Sequence, residues 1–279
     1  MKQMEFKDLE KYQQYLTEME KSQATIEKYL RDLRTFYRYL GEERSITKEK
    51  VVAYKVWLKE HYKTSSAASM LTALNIYLKY KGWNECCVRG VKMQRQMFVL
   101  QRKELTRSEY TKLVETAREK KKEQLALIIQ TIGGTGIRIS ELPFITVEAV
   151  QQGVAEVTCK GKIRQICLTK ELRKQLLKYC RKQKIAAGSV FISRHGRPLD
   201  RSNVWDQMKN LSKEAGVDQE KVFPHNLRHF FARMYYEKRK DIFYLADILG
   251  HSNVNTTRIY TTTTGEHHRR ILESLKLII

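Results

Sequence analysis

The sequence predicts a mainly α protein: an N-terminal four-helix domain, then a larger, mostly helical domain carrying a small antiparallel β-sheet. Three observations lead there. Apolar residues recur at helical spacing through most of the chain. One segment, "VAEVTCKGKIRQICLT", alternates with period two around a glycine. Between the two helical regions runs a basic, acid-free stretch, "VRGVKMQRQMFVLQRK", with little periodicity of either kind. The expected bounds are 1–95 for the first domain, 96–104 for a linker and 105–279 for the second.

The first helix falls around Phe6–Met19. In the second, "TIEKYLRDLRTFYRYLG", the residues Ile26, Tyr29, Leu30, Leu33, Phe36, Tyr37 and Leu40 share one face, and Gly41 is a natural stop. A third helix spans Thr47–Tyr62. In the fourth, "SSAASMLTALNIYLKYKG", Ala67, Met70, Leu71, Leu74, Tyr77 and Leu78 are in register, with Gly82 after them. The aromatic residues of these stripes belong to a core. The polar faces, with Lys28, Arg31, Arg34, Arg38 and Lys79, meet phosphates or water. Beyond the linker, Thr106 and Glu109 form a capping box that starts a helix. All three prolines lie further along, and the last, Pro224, sits where another helix begins. The alternating segment reads as a hairpin turning at Gly161. At the end, "GEHHRRILESLKLII" places Ile271, Leu272, Leu275 and Ile278 at the spacing of a short amphipathic helix.

Charge narrows the class of partner. Lysine and arginine total 53 against 31 acids, a formal charge of +22 over 279 residues, which calls for a polyanion, nucleic acid first. No run of about 18 apolar residues is present, so no span or membrane partner is expected. The charged N-terminus lacks the apolar core of a signal peptide. The five cysteines, Cys86, Cys87, Cys159, Cys167 and Cys180, fit neither a zinc site nor a disulfide framework. They read as reduced thiols of a cytoplasmic protein without a metal.

Three stretches carry candidate chemistry. "GGTGIRISEL" delivers Arg138 from a glycine turn, just before a helix starts. "FPHNLRHFFARM" puts His225 and Arg228 three apart on one helical face. "LGHSNVNTTRIY" sets His251 after Gly250 and ends at Tyr260. Singly, each has a plainer reading: a surface arginine, an exposed basic turn, a capped helix with a packed tyrosine. Together they supply the groups needed to cleave a phosphodiester without a metal. Two arginines hold the non-bridging oxygens, being planar, permanently charged and bidentate toward phosphate. A tyrosine hydroxyl is a nucleophile that yields a phosphotyrosine. Histidine and lysine move protons.

The order of these boxes, with a hairpin bearing "CKGK" between the first two, resembles the tyrosine recombinase family, also called the phage integrase family. The resemblance covers Leu105 to about Thr261 well. The N-terminal helices are similar in pattern to that family's SAM-like core-binding domain. The chain looks Xer-like, and no arm-binding domain of the kind some integrases carry is expected. The resemblance implies that Arg138 and Arg228 clamp the scissile phosphate, that His225 assists acid–base transfer and that His251 donates to a non-bridging oxygen. It implies that Tyr260 attacks to form a 3′-phosphotyrosyl link and that a hairpin lysine protonates the departing 5′ oxygen. The family hairpin usually reads glycine-lysine-glycine, two residues, then a basic residue. Here Cys159 replaces the first glycine and the stretch is one residue shorter, which favours Lys160 and leaves Lys162 as its rival. Glu141 is expected to help set up the Arg138 turn, and His229 to pack or support. Gly250 would let His251 turn to the phosphate, and Asn255 would cap a short helix leading to Tyr260. The tail helix would dock on a neighbouring protomer, or else pack on its own domain.

The expected function is site-specific recombination. A helical bundle and a catalytic domain would clamp a double-stranded DNA recombination site, cut it, and exchange strands between two duplexes. The covalent link conserves bond energy, so no cofactor is expected. The assembly would be a homo-tetramer on two paired sites and a monomer or dimer off DNA. Integration of a mobile element, excision, dimer resolution and inversion share this chemistry. Two alternatives stay open: a type IB topoisomerase-like relaxing enzyme, and a DNA-binding protein that no longer cuts.

Overall fold

The computed structural model describes residues 2–91, 104–159, 162–193, 195–251 and 253–257, and divides into compact units Met1–Arg95 and Gln96–Ile279. Lys160, the hairpin turn at Gly161, Tyr260 and the tail helix lie outside the described residues.

In the first unit, α1 (Asp8–Glu18), α2 (Gln23–Tyr39), α3 (Lys48–His61) and α4 (Thr64–Tyr80) are followed by a 3-10 turn at Asn84–Cys86. Thr47 starts α3 by accepting from the Lys50 backbone N–H at 3.3 Å, which satisfies one orphan donor of the first turn. The periodic residues point inward: Ile26, Leu30, Leu33 and Phe36 of α2 bury against Leu71, Leu74, Tyr77 and Leu78 of α4. Tyrosines fill much of this core. Tyr12 meets Tyr77 edge-on at 5.2 Å between centroids, and Phe36 meets Tyr54 at 4.8 Å. Such pairs add about 0.5–1.5 kcal/mol each beyond the area they bury. Lys28 is not on offer to a phosphate: its ammonium bonds Asp32 at 2.7 Å and Ser69 at 2.6 Å, tying α2 to α4. Arg31, Arg34, Arg38 and Lys79 are exposed.

In the second unit, the Thr106–Glu109 capping box opens α5 (Arg107–Glu119). Next comes α6 (Glu123–Thr135), with Leu125, Leu127, Ile128, Ile129 and Ile132 all buried. A helix apolar on nearly every side belongs at the centre of a fold, and both α5 and α10 pack on this one. A 3-10 segment (Ile139–Phe144), α7 (Val147–Gln152), the hairpin β1 (Val154–Cys159) and β2 (Lys162–Cys167), α8 (Lys170–Gln183), α9 (Arg201–Glu214), a 3-10 turn (Gln219–Lys221), α10 (Pro224–Arg239), α11 (Ile242–Leu249) and a last 3-10 turn (Val254–Thr256) complete the described order. The strands pair antiparallel with Val154 opposite Cys167 and Val157 opposite Arg164. That register turns Ala155, Val157 and Ile166 to the core and leaves Ile163 69% exposed. Among the described residues no helix is long and apolar enough to cross a membrane.

Three expectations need correction. Gly133 and Gly134 are not part of a turn; they lie within α6, and only Gly136, at φ +70°, ends the helix. The segment after Arg138 is 3-10 rather than α-helical. The cap in "SNVNTT" is Asn253, not Asn255: the Asn253 side chain accepts from the Asn255 N–H at 2.8 Å and starts a single 3-10 turn. Two neighbouring asparagines have equal capping chemistry, and the one that precedes the turn wins.

Candidate active site

Two helix ends build the site. At the first, the chain leaves α6 through Gly136 in the left-handed region, a conformation costly for any side chain. A Cβ there would also lie 2.3 Å from Cδ1 of Phe231. The reversal presents Arg138 two residues later. At the second, α11 ends in a Schellman motif. The Gly250 N–H bonds the Asp247 carbonyl and the His251 N–H bonds the Ala246 carbonyl, both at 2.9 Å, with Gly250 at φ +64°. The glycine before His251 is thus required by backbone geometry, and the motif aims the imidazole back across the helix end.

Arg138 is fixed by Glu141. The Glu141 carboxylate accepts from the Arg138 backbone N–H at 2.7 Å and from Nη1 at 2.8 Å, while Nη2 reaches the Gly250 carbonyl at 3.4 Å. Glu141 is 2% exposed and the Arg138 side chain 32%, so the acid is sealed inside and the guanidinium keeps an open edge. The expected part of Glu141, setting up the turn, matches this arrangement.

Arg228 is 1% exposed, among the most buried large side chains. A buried cation needs compensation, and it comes from the two helix ends. Nη1 donates to the Gly136 carbonyl and Nη2 to the Leu249 carbonyl, each at 2.6 Å. These lie at the C-terminal ends of α6 and α11, where unpaired carbonyls and the helix dipoles carry partial negative charge. Nη2 also lies 3.1 Å from Nε2 of His251. Both guanidiniums therefore reach one backbone stretch: Arg228 the carbonyl of Leu249, Arg138 that of Gly250.

A guanidinium has no lone pair to offer, so Nε2 of His251 accepts. The proton of the neutral ring then sits on Nδ1, which donates to Oγ1 of Thr257 at 2.8 Å. Burial and then the charges of Arg228, Arg138 and Arg164 push the His251 pKa down to about 4. His225, at the solvent-facing start of α10, is also lowered, first by desolvation against its neighbours and then by Arg228 and Arg138. His229 stacks edge-on to it at 4.4 Å and is lowered to about 4, by burial first. The three imidazoles beside these guanidiniums stay neutral at pH 7. Among the described residues no group of three or more histidine, cysteine or acidic side chains is arranged to hold a metal ion.

The structure thus brings Arg138, His225, Arg228 and His251 into one neighbourhood. Two residues of that neighbourhood were not singled out from sequence. Thr257, fully buried, bonds His251. Arg164 on β2 donates to Glu141 from Nη1 at 3.1 Å and Nη2 at 2.7 Å. The register supplied its signal: an arginine on the core-facing side of a strand, in line with Ile166.

Comparison with known proteins gives the class first. The fold is that of the recombinases: the chain superposes on a crystal structure of the XerA recombinase with a TM-score of 0.55 at 24% identity, covering 97% of this chain and 98% of that one. It superposes on a lambda integrase tetramer bound to a Holliday junction with a TM-score of 0.72 at 21% identity, covering 90% of this chain and 75% of the other. Sequence then gives the family. The profile described as "Phage integrase family" matches residues 103–267, and that of "Phage integrase, N-terminal SAM-like domain" matches residues 9–85. The tyrosine recombinase XerA of Pyrococcus furiosus is 30% identical over 97% of this chain and 94% of its own length. The chain belongs to the phage integrase family, the tyrosine recombinases, and is a DNA strand transferase acting in site-specific recombination.

Proposed function

We propose that Tyr260 is the nucleophile of this chain and that Arg138 and Arg228 hold the phosphate it attacks. One observation carries the reading: two guanidiniums, one from the turn after α6 and one from α10, converge on the consecutive carbonyls Leu249 and Gly250, next to His251. In this reading the Tyr260 hydroxyl attacks phosphorus, its proton passing to His225, which is neutral and solvent-accessible. The bond to the 5′ oxygen breaks, Lys160 protonates that oxygen, and a 3′-phosphotyrosyl link remains. A 5′ hydroxyl of the second duplex reverses the step. His251 serves as a donor to a non-bridging oxygen once the phosphate draws Nε2 from Arg228 and the ring proton moves from Nδ1 to Nε2, the Thr257 hydroxyl then donating to Nδ1. Residues 1–95 grip the core site, 96–104 link, and 105–279 cut. Paired sites are held by a homo-tetramer, the number of subunits in the lambda integrase assembly bound to a Holliday junction, and the work is done in the cytoplasm, where free thiols such as Cys86 and Cys180 persist.

The test is covalent capture. DNA sites are selected by the protein from a random pool, nicked next to the cut, and incubated with the wild type and with Tyr260→Phe. The wild type is expected to leave a peptide on the 3′ phosphate after proteolysis, and the variant to bind equally and leave none. A variant that still forms the adduct removes Tyr260 from the mechanism.

A further inference from the structure

We infer that Arg164 is a positioning residue: it takes up the charge of Glu141 and so leaves Arg138 a net cation for the DNA phosphate. This rests on the reading of Arg138 as a phosphate ligand. The geometry begins with one carboxylate between two guanidiniums. Oε1 of Glu141 accepts from Nη1 of Arg138 at 2.8 Å and Nη1 of Arg164 at 3.1 Å. Oε2 accepts from the Arg138 backbone N–H at 2.7 Å and Nη2 of Arg164 at 2.7 Å. The two cations differ in depth, with the Arg164 side chain 12% exposed and that of Arg138 32%. The inner arginine faces the acid and the protein around it, while the outer one keeps an edge toward solvent.

Two guanidiniums and one carboxylate sum to a single positive charge, and the exposed member of the trio carries it outward. Without Arg164, the buried carboxylate has one cation left among the described residues. Arg138 and Glu141 then close into a neutral pair, and the second nitrogen of Arg138 is drawn to the acid rather than left for a phosphate. The fork matters as well as the charge, because two parallel N–H bonds fix the carboxylate plane in which Arg138 is held.

Arg164 also touches the other arm of the site. A Cβ built on Gly250 would lie 2.8 Å from both Cδ and Nη1 of Arg164, so its stem passes against the turn that presents His251. The same charge helps keep His251 neutral. One side chain on β2 therefore braces the Arg138 turn and the His251 turn together.

A purely structural brace makes a different forecast from a charge carrier. Arg164→Met keeps the bulk and removes the charge. Glu141→Gln keeps an acceptor for the Arg138 N–H and removes the acid. In the full chain, Arg164→Met is expected to slow adduct formation about 10- to 100-fold, the loss typical of removing a residue that orients a functional group. It is expected to weaken inorganic phosphate binding, read by NMR at the His251 imidazole, by about the same factor. Adding Glu141→Gln restores the single positive charge at Arg138, so the double variant recovers most of both. Arg164→Lys, which keeps charge without the fork, falls between, and it stands in if the methionine variant does not fold. A double variant no better than Arg164→Met in either readout overturns the inference. If the wild type forms no adduct on any DNA, the proposed function fails and the phosphate titration alone decides here.

Discussion

The "GGTG" run at the end of α6 makes one sharp prediction, because its three glycines sit in three different environments. Gly134 is helical and open: an added Cβ meets nothing within 4 Å. Gly134→Ala should stabilise the C-terminal unit by about 0.5–1 kcal/mol through helix propensity alone. Gly133 is helical, but its Cβ would lie 2.6 Å from Cε2 of Tyr110, whose ring stacks on Phe230 at 4.8 Å. Displacing that ring costs roughly 1–3 kcal/mol, offset by the same propensity gain, for a net loss of about 0–2.5 kcal/mol. Gly136 carries both penalties. Its left-handed conformation costs a side chain about 1–2 kcal/mol, and its Cβ would sit 2.3 Å from Phe231 and 3.1 Å from Leu249. With overpacking of roughly 1–3 kcal/mol, Gly136→Ala should lose about 2–5 kcal/mol. Urea titration of the three variants, fitted to the transition of the C-terminal unit, should give the order 134, 133, 136 with unchanged slopes. The clash at 136 pushes on α10 and α11, so that variant alone should also lose adduct formation. A Gly136→Ala protein within 1 kcal/mol of the wild type, or a Gly134→Ala protein less stable than it, refutes the packing described.

Arg228→Ala should lose stability as well as cleavage. It strands the Gly136 and Leu249 carbonyls, about 2–6 kcal/mol at roughly 1–3 kcal/mol for each unsatisfied group, and removes a transition-state contact of about 3–5 kcal/mol; equal denaturation midpoints for variant and wild type would contradict the double cap. The histidines set an acid limb. Their folded pKa values lie below the unfolded value of 6.5, at about 4 for His229 and His251, so the unfolded chain binds more protons and stability should fall as pH drops from about 6.5 toward 4, then level for these groups. Asp8 and Glu109, whose carboxyls are held below their usual values, act lower, their stabilisation being lost as pH falls through those depressed values. Midpoints measured from pH 8 to 5 should therefore track the histidines, and His229→Gln should flatten the slope; a slope unchanged in that variant removes His229 from the account.

Much of the fold was legible because its signals are local. The stripe from Ile26 to Leu40, the Thr106–Glu109 box, Pro224 and the alternation around Gly161 each specify an element within a dozen residues. The grouping of Arg138, His225, Arg228 and His251 was legible for another reason: few residue types can do their work, and each is tied to a glycine or proline that fixes the backbone beside it. The features that escaped depend on distant partners. Read by hydrophobicity, Ile163 belongs inside the hairpin and Arg164 outside. Pairing of Val157 with Arg164 reverses that, and Glu141, 23 residues away, makes the reversal favourable. Lys28 looked like part of a basic face until Ser69, 41 residues on, appeared beside it. The glycines of "GGTG" looked alike, and they are distinguished by Tyr110 on one helix and Phe231 on another.

The position of Arg228 has a consequence for how such a protein can change. At most active sites stability and activity pull in opposite directions, since groups arranged for chemistry are rarely arranged for comfort. If Arg228 holds the phosphate as proposed, the guanidinium that does so also closes the ends of α6 and α11, and the two demands point the same way. Loss of Arg228 removes the fold's own support, and screens for inactive variants would find it among aggregated proteins. Selection for greater stability has no reason to erode it. With Tyr260 as the proposed nucleophile, a descendant that binds DNA but has stopped cutting would more readily arise by change there, leaving the two arginines in place as scaffold.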